Sequence, residues 1–75
     1  MIGNRIKELR MKKGVTQETL ADVLHISPQA VSKWELGIAS PDICLLVLLA
    51  DYFAVTVDYL LREEWQHKTI DQSFW

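Results

Sequence analysis

The sequence predicts an all-α domain, built as a compact bundle of about five helices. Apolar residues recur at intervals of three and four along most of the chain, which is the period of a helix with one buried face. Gly14 and Gly37 suit helix ends, and Ser27 followed by Pro28 suits a helix beginning. The chain has 75 residues, which is enough for one domain with one core.

The first helix has an inward stripe at spacings of four and three, formed by Ile2, Ile6 and Leu9. Its basic side chains are expected to point elsewhere: Arg5, Lys12 and Lys13. Gly14 ends this helix, because glycine adopts the left-handed backbone that closes a helix. Thr16 is then expected to cap the second helix, and Ser27 to cap the third.

Ser40, Pro41 and Asp42 repeat the serine-proline start signal and predict a fourth helix that continues to about Phe53. Its core face is expected to comprise Ile43, Leu46, Leu49, Ala50 and Phe53. A short fifth helix begins at Val55 or Thr56, with Leu60 and Leu61 facing inward. We therefore expect one domain over residues 1–61, followed by a tail over residues 62–75.

Composition excludes several classes of protein. The single cysteine, Cys44, rules out an internal disulfide, and no secretion leader is recognisable, so we expect a cytoplasmic protein. The longest apolar run, residues 43–50, is far shorter than the roughly 18 residues of a membrane span. His25 and His67 lack the paired carboxylates or cysteines of a catalytic or metal site, so we expect no enzyme, no metal and no cofactor.

Charge is distributed unevenly along the chain. Ten acids outnumber eight bases overall, which argues against nucleic-acid binding. Residues 1–35 nevertheless hold six bases and four acids (+2), whereas residues 36–75 hold two bases and six acids (−4). The basic half could meet phosphate while the acidic half maintains solubility, with only modest nonspecific affinity.

The segment of residues 17–36, QETLADVLHISPQAVSKWEL, has the pattern of two short helices joined by a tight turn, the second with a polar stripe. Together with IKELRMKKGVTQETLA, which overlaps its start, and SPD and LADYFAVTVDYLL after it, this segment resembles the phage repressor and Cro family of helix-turn-helix regulators. The likeness covers roughly Ile2 to Leu61. It implies a lambda-repressor-like domain that binds a palindromic operator in double-stranded DNA as a homodimer, most often as a repressor. His25 occupies the turn position where this family usually has glycine.

The resemblance assigns DNA contacts to the second and third helices. Pro28 begins the outward stripe of the third helix, and Gln29 is our first choice for reading an adenine through N6 and N7, against the alternative of a solvated glutamine. Lys33 fits guanine or phosphate equally well, and Ser32 fits a base edge or the backbone, or is simply exposed. Gln17, at the start of the second helix, is expected to hold a phosphate.

Two further residues are assigned a structural role by the resemblance. Arg10 and Glu35 match a family ion pair that ties the first helix to the end of the third. We expect this pair to form here.

A second function is left open by the fourth helix. An apolar surface is expected there, which a second subunit, the apolar tail or both would cover, and we favour a dimer that uses both. The residues assigned to this dimer or tail surface are Cys44, Leu45, Leu48, Tyr52 and Trp65. The same surface favours an alternative reading as a protein-interaction module, an antitoxin or adaptor. Cys44 itself is expected to be a small helix hydrophobe, with a redox switch as the alternative.

Overall fold

The computed structural model describes the backbone of residues 2–65 and the side chains of residues 2–62. Five helices occupy that range, and it contains no strand: α1 (Ile2–Lys13), α2 (Gln17–Leu24), α3 (Pro28–Leu36), α4 (Ile43–Phe53) and α5 (Val57–Trp65). The predicted all-α bundle is confirmed. None of the helices in this range is long and apolar enough to cross a membrane.

Side-chain caps begin the middle helices where the sequence predicts them. Thr16 Oγ1 accepts a hydrogen bond from the Thr19 amide at 3.0 Å, and Ser27 Oγ accepts from the Ala30 amide at 3.3 Å. Pro28 fills the first helical position of α3, where its missing N–H costs no hydrogen bond.

The predicted start of α4 is wrong by two residues. Asp42, and not Ser40, is the cap, since its Oδ1 accepts from the Leu45 amide at 2.9 Å. Aspartate caps a helix as well as serine does, and this choice leaves Pro41 buried just outside the helix.

Left-handed backbone closes the helices. Gly37 has φ 79° at the end of α3, and His25 has φ 60° at the end of α2. The turn position where the family usually has glycine is therefore left-handed here at a residue with a side chain. Ala54, at the end of α4, also has a positive φ of 57°.

The core lies between α1 and the other helices. It comprises ten buried apolar residues: Ile2, Ile6, Leu20, Ala21, Leu24, Val31, Trp34, Leu49, Ala50 and Leu60. α1 packs against α3 and α5, and α2 packs against α3. The predicted inward stripe of α1 and inward Leu60 of α5 agree with this core.

A close helix crossing at Gly3 holds α1 against α3. A Cβ atom at this position would overlap the carbonyl oxygen of Trp34 and lie 3.1 Å from the Cα of Glu35. Only glycine permits that approach without a shift. Sequence reasoning assigned no role to Gly3.

The core face predicted for α4 is confirmed at four of its five residues, since Leu49 and Ala50 are buried and Leu46 and Phe53 pack against the core. Ile43, expected in the core, is 74% exposed, whereas Leu45 and Tyr52, expected on the outer patch, are half-buried and pack against the core. The exposed apolar side chains of α4 are Ile43, Cys44, Val47 and Leu48, which we term the α4 apolar face. Of the predicted patch, Cys44 and Leu48 remain on this face, and the Trp65 side chain lies outside the described residues.

Candidate nucleic-acid interface

α2 and α3 form a compact helix-turn-helix unit. The turn is held by the amide of Ile26, which donates to the carbonyl of Ala21 at 2.9 Å, and by the left-handed backbone of His25. Ala21 is 1% exposed, so the two helices meet over a small side chain. This packing fixes the direction of α3 relative to α2.

α3 has one face in the core and one face in solvent. Val31 and Trp34 are 0% and 4% exposed and anchor the inner face. On the other side Gln29 and Lys33 are exposed, one helical turn apart, and Ser32 is half-buried beside them. Pro28, at the start of the helix, is exposed as well. The structure therefore leaves open the ridge that the sequence assigns to base contact.

The far end of this ridge is apolar. Leu36, one turn beyond Lys33, is 71% exposed, and Ile38 in the following loop is 68% exposed. Neither side chain can donate a hydrogen bond to phosphate. They can pack against a thymine methyl group, a sugar or a protein surface.

The N-terminus of α2 presents unpaired amides. The first backbone N–H groups of a helix have no partner within the helix, which here applies to Gln17 and Glu18, because Thr16 caps the Thr19 amide. Such amides, with the helix dipole, favour an anion. The half-buried side chain of Gln17 lies at this end, where the sequence predicts a phosphate contact.

Gln17 also has a partner that the sequence did not predict. Its Nε2 donates to Oε1 of Glu35 at 3.0 Å. The side chain at the start of α2 is therefore tied to the end of α3.

Arg10 and Glu35 form a bidentate ion pair. Arg10 Nε donates to Oε2 at 2.7 Å and Nη2 donates to Oε1 at 3.1 Å, while the two side chains are 13% and 4% exposed. A third donor, Arg10 Nη1, reaches the carbonyl of Val15 at 2.9 Å. The pair thus links α1, the loop before α2, and α3.

The basic half has fewer free cations than its composition implies. Arg5, expected to point away from the core, is instead half-buried against α5, where Nη1 donates to the hydroxyl of Tyr59 at 3.1 Å. Arg10 is neutralised by Glu35. The exposed bases of this half are lysines: Lys7, Lys12, Lys13 and Lys33.

Comparison with known proteins finds relatives that are described as helix-turn-helix proteins. Residues 6–60 match the family described as helix-turn-helix. The SPbeta prophage-derived uncharacterized HTH-type transcriptional regulator YonR of Bacillus subtilis (strain 168) is 40% identical over 62 residues, or 83% of this chain and 57% of that protein. The HTH-type transcriptional activator BcrR of Enterococcus faecalis is 42% identical over 60 residues, or 80% of this chain and 29% of that protein.

A solved structure has the same fold. The P22 c2 repressor in complex with a synthetic operator superposes with a TM-score of 0.76 at 30% identity, covering 80% of this chain and 91% of that one. Against the two curated relatives, by contrast, the chain spans little more than half the length of the first and under a third of the second. The match over residues 6–60, with these identities, shows that the chain belongs to the helix-turn-helix family.

Proposed function

We propose that this chain is a DNA-binding transcriptional regulator that places α3 in the major groove of an operator. The observation that carries the proposal is the open ridge of α3, where Gln29 and Lys33 are exposed while Val31 and Trp34 hold the helix in the core. A helix fixed on one side and polar on the other fits the major groove. Both the operator complex of the P22 c2 repressor and the naming of the relatives as transcriptional regulators support this proposal.

The roles that we propose for individual side chains follow from their chemistry and their positions on α2 and α3. Gln29 reads adenine through a bidentate amide contact, and Lys33 contacts guanine or phosphate. Gln17 and the free amides of α2 hold a phosphate and so set the register of α3 on the duplex. We assign repression as the outcome, through occupancy of the operator by a cytoplasmic protein without enzymatic activity.

A second copy of the chain is the partner that we propose for the α4 apolar face. The four side chains of this face, Ile43, Cys44, Val47 and Leu48, are uncharged, so two copies can bury them against each other across a two-fold axis. A two-fold axis at this face also relates the two copies of α3, because it relates every element of the two chains. A palindromic operator with half-sites roughly 34 to 36 Å apart would match that symmetry.

The alternative function, an adaptor or antitoxin, uses the same apolar face for another protein. It requires no role for Gln29 or Lys33. Binding to DNA therefore distinguishes the two functions, whereas self-association alone does not.

Selection of bound sequences from a random DNA pool tests the proposal. We expect a two-fold-related consensus, for which Gln29→Ala lowers affinity about tenfold and relaxes the choice of base at one position in each half-site. Lys33→Ala is compared with Arg62→Ala, which removes an exposed charge from α5. Only the Lys33 variant should weaken binding clearly. A pool that yields no consensus, with no measurable binding at low salt, would leave the adaptor function.

A further inference from the structure

The carboxylate of Glu35 joins two functional parts of the helix-turn-helix. Its Oε1 accepts two hydrogen bonds from different helices, one from Arg10 Nη2 at 3.1 Å and one from Gln17 Nε2 at 3.0 Å. Its Oε2 accepts from Arg10 Nε at 2.7 Å. With only 4% of the Glu35 side chain exposed, these bonds form where water competes weakly.

This arrangement determines which end of the Gln17 amide faces inward. A carboxylate can only accept hydrogen bonds, so the NH2 end of the amide must face Glu35 and the carbonyl end cannot. One Nε2 proton is used in that bond, which leaves the second for another acceptor. The bond thereby selects one orientation of a side chain that otherwise has several rotamers.

Arg10 makes a carboxylate at this place compatible with DNA. An unpaired Glu35 would repel the phosphate that the start of α2 attracts. The bidentate guanidinium compensates the negative charge, and its bond to the carbonyl of Val15 also holds the loop that precedes α2.

From this network we infer that Glu35, held by Arg10, is a positioning residue for phosphate binding by Gln17. The inference rests on the proposed function and adds a coupling between the end of α3 and the start of α2. A side chain that is already oriented loses less conformational entropy when it binds. Glu35 therefore contributes to DNA affinity without touching DNA.

A double-mutant cycle tests the coupling, with the duplex recovered by selection from random DNA as the probe. We expect Gln17→Ala to lower affinity about tenfold in the wild-type chain, as removal of a hydrogen bond to a charged group does. In the Glu35→Ala background the same change should cost less than about twofold, because alanine offers no acceptor and Gln17 is no longer held. Gln29→Ala is the control, since it should cost the same in both backgrounds.

A second background guards against misfolding of Glu35→Ala. The paired change Arg10→Met with Glu35→Leu replaces both ions by apolar groups, which a folded core tolerates better than one uncompensated charge. Gln17→Ala should again cost less than about twofold there. Circular dichroism confirms that each background is folded before binding is measured.

The side-chain amide of Gln17 gives a readout that needs no DNA. In the free protein its NH2 protons should exchange more slowly with solvent than those of Gln29, whose side chain is exposed, and the difference should vanish in Glu35→Ala, which removes the acceptor. Equal exchange at the two amides in the wild-type chain would overturn the inference. So would a Gln17→Ala cost that is the same in every background.

The two proposals fail in different ways. A wild-type chain that enriches no DNA sequence overturns the proposed function and the positioning role with it. A chain that binds its selected duplex, but shows additive effects at Gln17 and Glu35, overturns the positioning role alone.

Discussion

At the scale of single residues, burial determines how strongly the loss of a charged partner lowers stability. Arg10 and Glu35 are almost fully buried and make three hydrogen bonds with each other and with Val15 in addition to the bond from Gln17. Removing one member of such a pair leaves the other charge in a poorly hydrated place. An exposed pair at the surface has no comparable penalty, because water replaces the lost partner.

We therefore expect Arg10→Met to lower the free energy of unfolding by about 3 to 5 kcal/mol. The matched control is Arg62→Met, which breaks an exposed i, i+4 pair with Asp58, and it should cost under about 0.5 kcal/mol. Urea unfolding followed by circular dichroism measures both. Equal stability of Arg10→Met and wild type would show that the pair has no structural role.

His25 shows how one residue can carry a conformational cost. Its φ of 60° is in the left-handed region, which costs a residue with a side chain roughly 1 to 2 kcal/mol. We expect His25→Gly to raise the free energy of unfolding by about 0.5 to 1 kcal/mol, after the greater freedom of glycine in the unfolded chain is subtracted. His25→Ala keeps the Cβ and should not stabilise. Thermal unfolding compares the two, and a gain from alanine equal to that from glycine would exclude backbone strain as the cause.

At the scale of helices, the caps of α2 and α3 were predictable, whereas the cap of α4 is Asp42 and not Ser40, and the buried faces were predictable only in part. Thr16, Ser27 and Gly37 mark helix ends through local hydrogen bonding and backbone preference, which depend on neighbouring residues alone. The inward face of α4 was predicted correctly at Leu49 and Ala50 but wrongly at Ile43. Every residue from Ile43 to Leu49 is apolar, and periodicity needs a contrast between apolar and polar positions.

Contacts between residues distant in sequence were the second feature that the sequence could not predict. The Arg10–Glu35 pair was expected from resemblance, but the bond from Gln17 and the contact of Arg5 with Tyr59 join residues far apart in sequence. No local pattern marks them. The open ridge of Gln29 and Lys33 was predictable, since the helical period places both opposite Val31 and Trp34.

Gly3 permits the crossing of α1 over α3, and its replacement tests that packing. Alanine is the better helix former by roughly 1 kcal/mol, yet its methyl group would overlap the Trp34 carbonyl. We expect Gly3→Ala to lower stability by about 1 to 3 kcal/mol, as overpacking does. Asn4→Ala, at the exposed neighbour in the same helix, should be neutral or slightly stabilising. A Gly3→Ala protein that melts at or above the wild-type temperature would contradict the close crossing.

At the scale of the whole molecule, DNA affinity depends on more than charge. The net charge is −2, and two of the six bases in residues 1–35 are engaged with Tyr59 and Glu35. A single copy with few free lysines would bind DNA weakly at physiological salt. Two copies held together would double the phosphate contacts and add avidity, so the proposed dimer would serve the proposed DNA binding.

The α4 apolar face is the surface that we propose for this association. Val47 is 48% exposed on this face, and Val23 on α2 is 45% exposed outside it, so the two valines form a matched pair. We expect Val47→Asp to weaken dimerisation at least about tenfold, because an unpaired carboxylate is costly to bury in an apolar interface, whereas Val23→Asp should leave it unchanged.

Sedimentation equilibrium of the full chain measures the dimer constant, and circular dichroism confirms that both variants are folded. If Val47→Asp dimerises as tightly as wild type, the two-fold axis lies elsewhere. If wild type is monomeric without DNA but binds two half-sites cooperatively, the α4 apolar faces of two copies associate only when both copies are bound to the operator. Val47→Asp should then abolish the cooperativity while affinity for a single half-site remains, because the α3 ridge is untouched.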